Sequence, residues 1–239
     1  MKENIDLEEI QKKLIEKLQT SGWGVKLRGF VQGADFLNVL KVLYKLKEDG
    51  KRFTPALKQV FRAFEECPVN KLKVIVIGQD PYPYFGVADG LAFSCGNTRK
   101  VQPSLKSIFE AINTTVDNNL QTIEYDPDLT RWANQGVLLL NTSLTCEIDK
   151  INSHLAVWKE FIAYTLDILN YTDSGLIFVL MGKQAQDLES MIGEHHHIIK
   201  VIHPASAVYT KETWDCNDMF NKINSIIEGQ HGKEFKIKW

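Results

Sequence analysis

The chain has 239 residues, 44% of them hydrophobic and 24% charged, with a formal net charge of −2. That suits a globular protein with a sizeable core, and it excludes a polyanion binder that works by bulk attraction; nucleic-acid binding would need a local basic patch. Cys67, Cys95, Cys146 and Cys216 are scattered with no C-x-x-C pair, which argues against a metal or iron–sulfur site. No signal-like leader is expected, and no apolar stretch approaches the ~20 residues of a membrane span. A cytoplasmic setting with reduced thiols follows as the expectation.

In chain order, Ile5, Leu7, Ile10, Leu14 and Leu18 predict an amphipathic helix over residues 5–19. Thr54-Pro55 reads as an N-cap with proline in the first turn, followed by Val60, Phe61 and Phe64 facing a core. The first strand is Lys73–Ile77. Ser104 is expected to cap a helix carrying Leu105, Ile108, Phe109 and Ile112. Gly136–Asn141 is a second apolar run, and a helix is expected over about Val157–Leu169. Leu176–Met181 is the third run, followed by a helix over about Lys183–Met191. Ile198–Ile202 is the fourth, and a last helix covers about Trp214–Ile227.

Alternating strands and helices predict an α/β fold: a single-domain three-layer α/β/α sandwich over residues 1–239, with a central, mostly parallel, four-stranded sheet. Three runs end in residues suited to chemistry: Asp80, Asn141 and His203. Parallel strands bring their carboxyl ends to one edge, where open α/β sheets bind ligands. Pro81 stiffens the backbone after Asp80. Taken singly, Asp80 suits a turn, Asn141 a cap, and His203 a satisfied core position. His195-His196-His197 reads as a solvated turn, because consecutive residues at a loop-to-strand junction cannot all face one ion.

Several ordered segments together resemble family 1 uracil-DNA glycosylase over nearly the whole chain. Gly78-Gln79-Asp80-Pro81-Tyr82 resembles its water-activating loop, and Gly90-Leu91-Ala92-Phe93-Ser94 its uracil-stacking segment. Gln102-Pro103-Ser104-Leu105 resembles the backbone-gripping loop, and Gly136–Asn141 the uracil-reading strand. His203-Pro204 opens a segment resembling the minor-groove loop. The resemblance implies hydrolysis of the N-glycosidic bond of a uracil flipped out of DNA, giving free uracil and an abasic site. Asp80 would handle the water and His203 the leaving anion. Gln79, Tyr82, Phe93 and Asn141 would bind uracil. Ser104, Lys183, Pro204, Ser206, Ala207, Val208, Tyr209 and Lys211 would meet DNA. The implied enzyme needs no cofactor and no metal. Its partners would be uracil-containing single- or double-stranded DNA and a DNA-mimicking protein inhibitor, and it would act as a monomer away from membranes.

Two loops depart from the family pattern. Pro83 stands where the family has His, and Tyr84-Phe85-Gly86-Val87-Ala88-Asp89 replaces a Gly- and Gln-containing stretch. Ala207 stands at the wedge position, where the family has Leu, with Val208 or Tyr209 as substitutes; preference for single strands is the other reading. The alternative function is a catalytically altered relative serving as a DNA-binding or replication accessory. A nucleotide hydrolase is disfavoured, since no G-x-x-x-x-G-K-[ST] loop is present.

Overall fold

The computed structural model describes residues 7–116, 125–172, 175–210 and 212–239. Expected positions Ile5 and Lys211 therefore lie outside the described residues. The amino-terminal part is helical: α1 (Leu7–Lys17), α2 (Trp23–Lys26), α3 (Arg28–Val31) and α4 (Ala34–Glu48). β1 (Phe53–Thr54) and α5 (Arg62–Glu66) lead into β2 (Val74–Gly78). Then come α6 (Pro103–Thr115), α7 (Thr130–Ala133), β3 (Val137–Asn141), β4 (Cys146–Glu147) and α8 (Leu155–Asn170). β5 (Ile177–Met181), α9 (Lys183–Gln186), β6 (His197–Val201), α10 (Ala205–Thr210) and α11 (Met219–His231) complete the order.

The four apolar runs become a parallel sheet in the order β3-β2-β5-β6. Every residue of β2, β3 and β5 is buried, as strands covered by helices on both faces must be. The edge strand β6 instead alternates, with Ile199 and Val201 inward. Two aromatic clusters fill the flanking layers. Trp23, Phe36, Phe61, Phe64, Trp158 and Phe161 form one; Phe109, Trp132, Phe220 and Trp239 form the other.

The chain leaves β2 for β3 on one side, then returns to place β5 on the other. Connections therefore diverge at the carboxyl end of β2, which opens a crevice there. Asp80 follows β2, Asn141 ends β3 and His203 follows β6, so the topology sends all three to that edge.

Several expected elements differ. Thr54 does not cap a helix: Phe53–Thr54 pairs antiparallel with Cys146–Glu147, the Thr54-Pro55 peptide is cis, and helix α5 begins only at Arg62. Ser104 lies inside α6, behind Gln102 at the cap position and Pro103 in the first turn. The helix expected over Lys183–Met191 breaks into α9 and a 3-10 turn, Glu189–Met191. Trp214 stands outside α11, its indole N–H donating to Ile202 O at 3.0 Å. Left-handed Asn217 and Asp218 delay the helix start to Met219. His196 is buried rather than solvated, accepting from Leu176 N–H and packing on Phe178.

Candidate active site

Gly78 and Asn141 are partners in the β2–β3 ladder, so backbone pairing holds Asn141 at the crevice floor, 8% exposed. A Cβ on Gly78 would lie 2.6 Å from Asn141 Oδ1 and 3.1 Å from the Phe93 ring. Glycine is therefore what lets an amide and an aromatic face meet at this point.

Past Gly78 the two chains stay tied. Thr142 N–H donates to Gly78 O, and both Ser143 N–H and the Thr142 hydroxyl donate to Gln79 O. Asp80 Oδ2 accepts from the Asn152 backbone N–H. Asp80 Oδ1 is buried with no partner among the described residues, which leaves it free to accept from a water nucleophile. Burial raises the Asp80 carboxyl above its ordinary range, and the Asn152 bond only partly opposes that. A desolvated carboxylate is a stronger base than an exposed one. Asn152 also gathers the Gln79 and Gln184 side chains on its Oδ1, at 2.8 and 2.9 Å. Sequence reasoning missed Asn152: nothing distinguishes it locally from any loop amide.

Phe93 is 9% exposed and adopts a left-handed backbone, φ 66°. A non-glycine residue there is held by its surroundings. The Tyr82 hydroxyl donates to Phe93 O at 3.0 Å, and burial raises the Tyr82 phenol well above its ordinary value. The larger clamp is Asp89, fully buried. It accepts from Leu91 N–H, Ser94 Oγ and Gly96 N–H, and pairs with Arg62 at 2.9 Å. Arg62 also grips Asp128, whose carboxylate bonds Thr130. This network ties the Phe93 turn to α5 and α7. Arg62 and Asp89, too, were missed, being 27 residues apart with no local signature.

His203 lies with its ring centroid 5.6 Å from that of Phe93. Ala205 N–H donates to His203 Nδ1 at 3.2 Å, so a neutral ring carries its proton on Nε2. Burial lowers the His203 pKa, favouring that neutral ring. Gly182, at φ +86°, ends β5 beside it; a Cβ there would stand 2.9 Å from His203 Cβ.

The structure thus brings Asn141 and Phe93 together over Gly78, sets the His203 ring 5.6 Å from Phe93, and carries Gln79, Asp80 and Tyr82 on the adjoining loop. The expected DNA-facing residues divide. Lys183 is exposed and pairs with Asp187. Ser206 Oγ donates back to His203 O, bracing the loop. Ser104 is 8% exposed. The stretch expected as a loop after Pro204 is helix α10, and this corrects the placing of Ala207: it turns into the core, 8% exposed, while Val208 and Tyr209 face out at 44% and 85%. His154 is buried, with its ring near Phe53. Its Nδ1 shares a hydrogen bond with the Thr145 hydroxyl at 2.8 Å, and that hydroxyl accepts from Trp158 Nε1–H.

The model of the uracil DNA glycosylase superfamily matches residues 64–228. The uracil-DNA glycosylase of Acinetobacter baylyi is 33% identical over 238 residues, covering 98% of both chains. The crystal structure of mimivirus uracil-DNA glycosylase is similar with a TM-score of 0.80 at 23% identity, over 92% of this chain and 87% of that one. A mimivirus UNG variant in complex with UGI gives 0.79 at 24% identity, over 88% and 85%.

Proposed function

The chain belongs to the uracil-DNA glycosylase superfamily, and we propose how its own residues divide the work of excising uracil from DNA. The enzyme is a glycosylase of base excision repair, releasing uracil and leaving an abasic site. The observation that carries the residue assignment is the meeting of Asn141 and Phe93 over the side-chain-free Gly78, with the His203 ring 5.6 Å from that of Phe93. A side chain at position 78 would crowd both Asn141 Oδ1 and the Phe93 ring.

In this reading the flipped ring stacks on Phe93, and Asn141 reads its edge with one donor and one acceptor. That pairing suits the O4 and N3–H of uracil and mismatches cytosine. Tyr82, held by its bond to Phe93 O, stands against C5 and excludes a methyl group, while the Gln79 backbone completes the pocket. Breaking the glycosidic bond sends an electron pair to the base and leaves cationic character on the sugar. Neutral His203 donates from Nε2–H to the developing anion, which preorganised donors stabilise best. Ionised Asp80 steadies the cation and takes a proton from the water that adds to C1′. With Pro83 in place of His, Asp80 Oδ1 and neighbouring backbone carbonyls hold that water.

Ser104, Lys183 and Ser206 would meet the phosphates, together with Lys211, while buried Pro204, which has no N–H to donate, shapes the loop. Val208 or Tyr209, not Ala207, would fill the stack the base vacates. A DNA-mimicking inhibitor would compete for the same two side chains. A labelled oligonucleotide with one uracil, single-stranded or paired with A or G, then cut by alkali, tests the assignment. Cleavage at uracil only, and its loss in Asn141→Ala, is expected. Thymine or cytosine cleavage, or an unchanged Asn141→Ala rate, would refute it.

A further inference from the structure

The loop that carries Asp80 ends in two aromatic side chains that the pocket does not use. Tyr84 and Phe85 are 55% and 69% exposed. Arg52 Cζ lies 5.0 Å from the Phe85 ring centroid, a cation under an aromatic face. The tip is braced rather than loose. Val87 N–H donates to Tyr84 O, Asp149 N–H to Pro83 O and Ile148 N–H to Arg52 O. One residue group further along, Asn152 N–H holds Asp80 itself. Ile151, 60% exposed, sits between these ties. Asp80, Tyr84 and Phe85 thus share one loop, and the 148–152 segment ties that loop to Arg52 at Ile148, to Pro83 at Asp149 and to the Asp80 carboxylate at Asn152.

We propose that Tyr84 and Phe85 form a stacking platform for the unpaired bases that flank uracil in a single strand, with Arg52 placed for the adjoining phosphate. The proposal rests on the glycosylase reading. Exposed aromatics beside a cation bind single strands by stacking, whatever the base, because every base has a π-face. Such faces are unavailable in an intact duplex, so the platform favours single-stranded substrate. The occupant is a nucleic-acid strand because the platform shares the loop of Asp80 and carries its own cation.

The test uses the full chain, with Tyr84→Ala/Phe85→Ala and Tyr84→Phe/Phe85→Trp as variants. Uracil excision is measured on a single strand, and on the same backbone with base-free tetrahydrofuran sugars flanking the uracil. On the base-bearing strand the Ala pair should raise KM about tenfold or more with kcat little changed, and the Phe/Trp pair should restore it. On the base-free strand all three proteins should behave alike. Unchanged KM, or an equal loss on both strands, would overturn the platform. Fluorescence anisotropy with a labelled uracil-free strand separates the two readings. Strand affinity lost only in the Ala pair supports the platform even if no excision is seen, a result that would sink the glycosylase reading alone.

Discussion

Gly78→Ala places one carbon between the two walls of the pocket. The added Cβ would sit 2.6 Å from Asn141 Oδ1, about 0.8 Å inside the 3.4 Å at which ordinary contact begins. Neither side can yield freely, since positions 78 and 141 are paired in the ladder and Phe93 is clamped by Asp89 and Tyr82. A misplacement near 1 Å at a reacting centre costs about 100-fold in rate. Overpacking a buried site costs about 1–3 kcal/mol, which lowers the melting temperature by roughly 2–12 °C in a chain of this size. Excision of uracil from a single strand at 25 °C, alongside a thermal melt, measures both. The expected result is kcat/KM down about 100-fold in protein that is still folded. Gly229→Ala is the control: nothing lies within 4 Å of its added Cβ, and its place inside α11 should make the change mildly stabilising with full activity. A folded Gly78→Ala protein with near-normal kcat/KM would refute the assignment of Asn141 and Phe93 to the base slot.

Asp89→Ala removes a fully buried carboxylate and strands three donors and part of Arg62. About 3–5 kcal/mol of stability should be lost, read as the shift of the denaturation midpoint, with KM raised as Phe93 loosens. In the pH profile, kcat/KM should lose activity on the acid side above the ordinary carboxylate range, because burial raises Asp80. No separate limb should appear near the ordinary histidine value, because His203 is lowered and already neutral there. The same shift has a stability sign. Below about pH 6.5 the unfolded chain binds protons that buried His203, His154 and His196 refuse, so stability falls as pH drops. His203→Gln should fall less steeply in urea titrations across that window. Val208→Ala/Tyr209→Ala should cut excision from duplex DNA on the order of tenfold and spare single strands, as parallel kinetics would show.

The placement of the candidate residues was legible where local pattern and topology coincide. The runs Lys73–Ile77, Gly136–Asn141 and Ile198–Ile202 stand out in the sequence and become β2, β3 and β6 within a residue at each end, and parallel pairing then brings Asp80, Asn141 and His203 to one edge. Helix α4 carries an equally plain signal, Phe36, Val39, Leu40 and Leu43 at helical spacing, yet was not among the expected elements. What pattern could not supply was long-range support. The Arg62–Asp89–Asp128 network and the Asn152 bond to Asp80 join segments with no shared periodicity. Thr54 misled because a residue before proline looks alike in a cap and in an extended strand, and pairing with Cys146 decided it. Ala207 misled because a resemblance aligns positions but not helical faces; one turn of α10 turns it inward and its neighbours out.

Single-turnover excision by wild type and Asp80→Asn, with binding of the uracil strand measured in parallel, tests the central claim most directly. The claim is that a desolvated carboxylate beside Asn152 drives glycosidic hydrolysis in this chain. The account predicts a wild-type rate at uracil and none at thymine, with Asp80→Asn slowed about 100-fold or more at unchanged affinity. Equal rates for the two proteins, or a folded wild type that binds the strand and cleaves nothing, would contradict it.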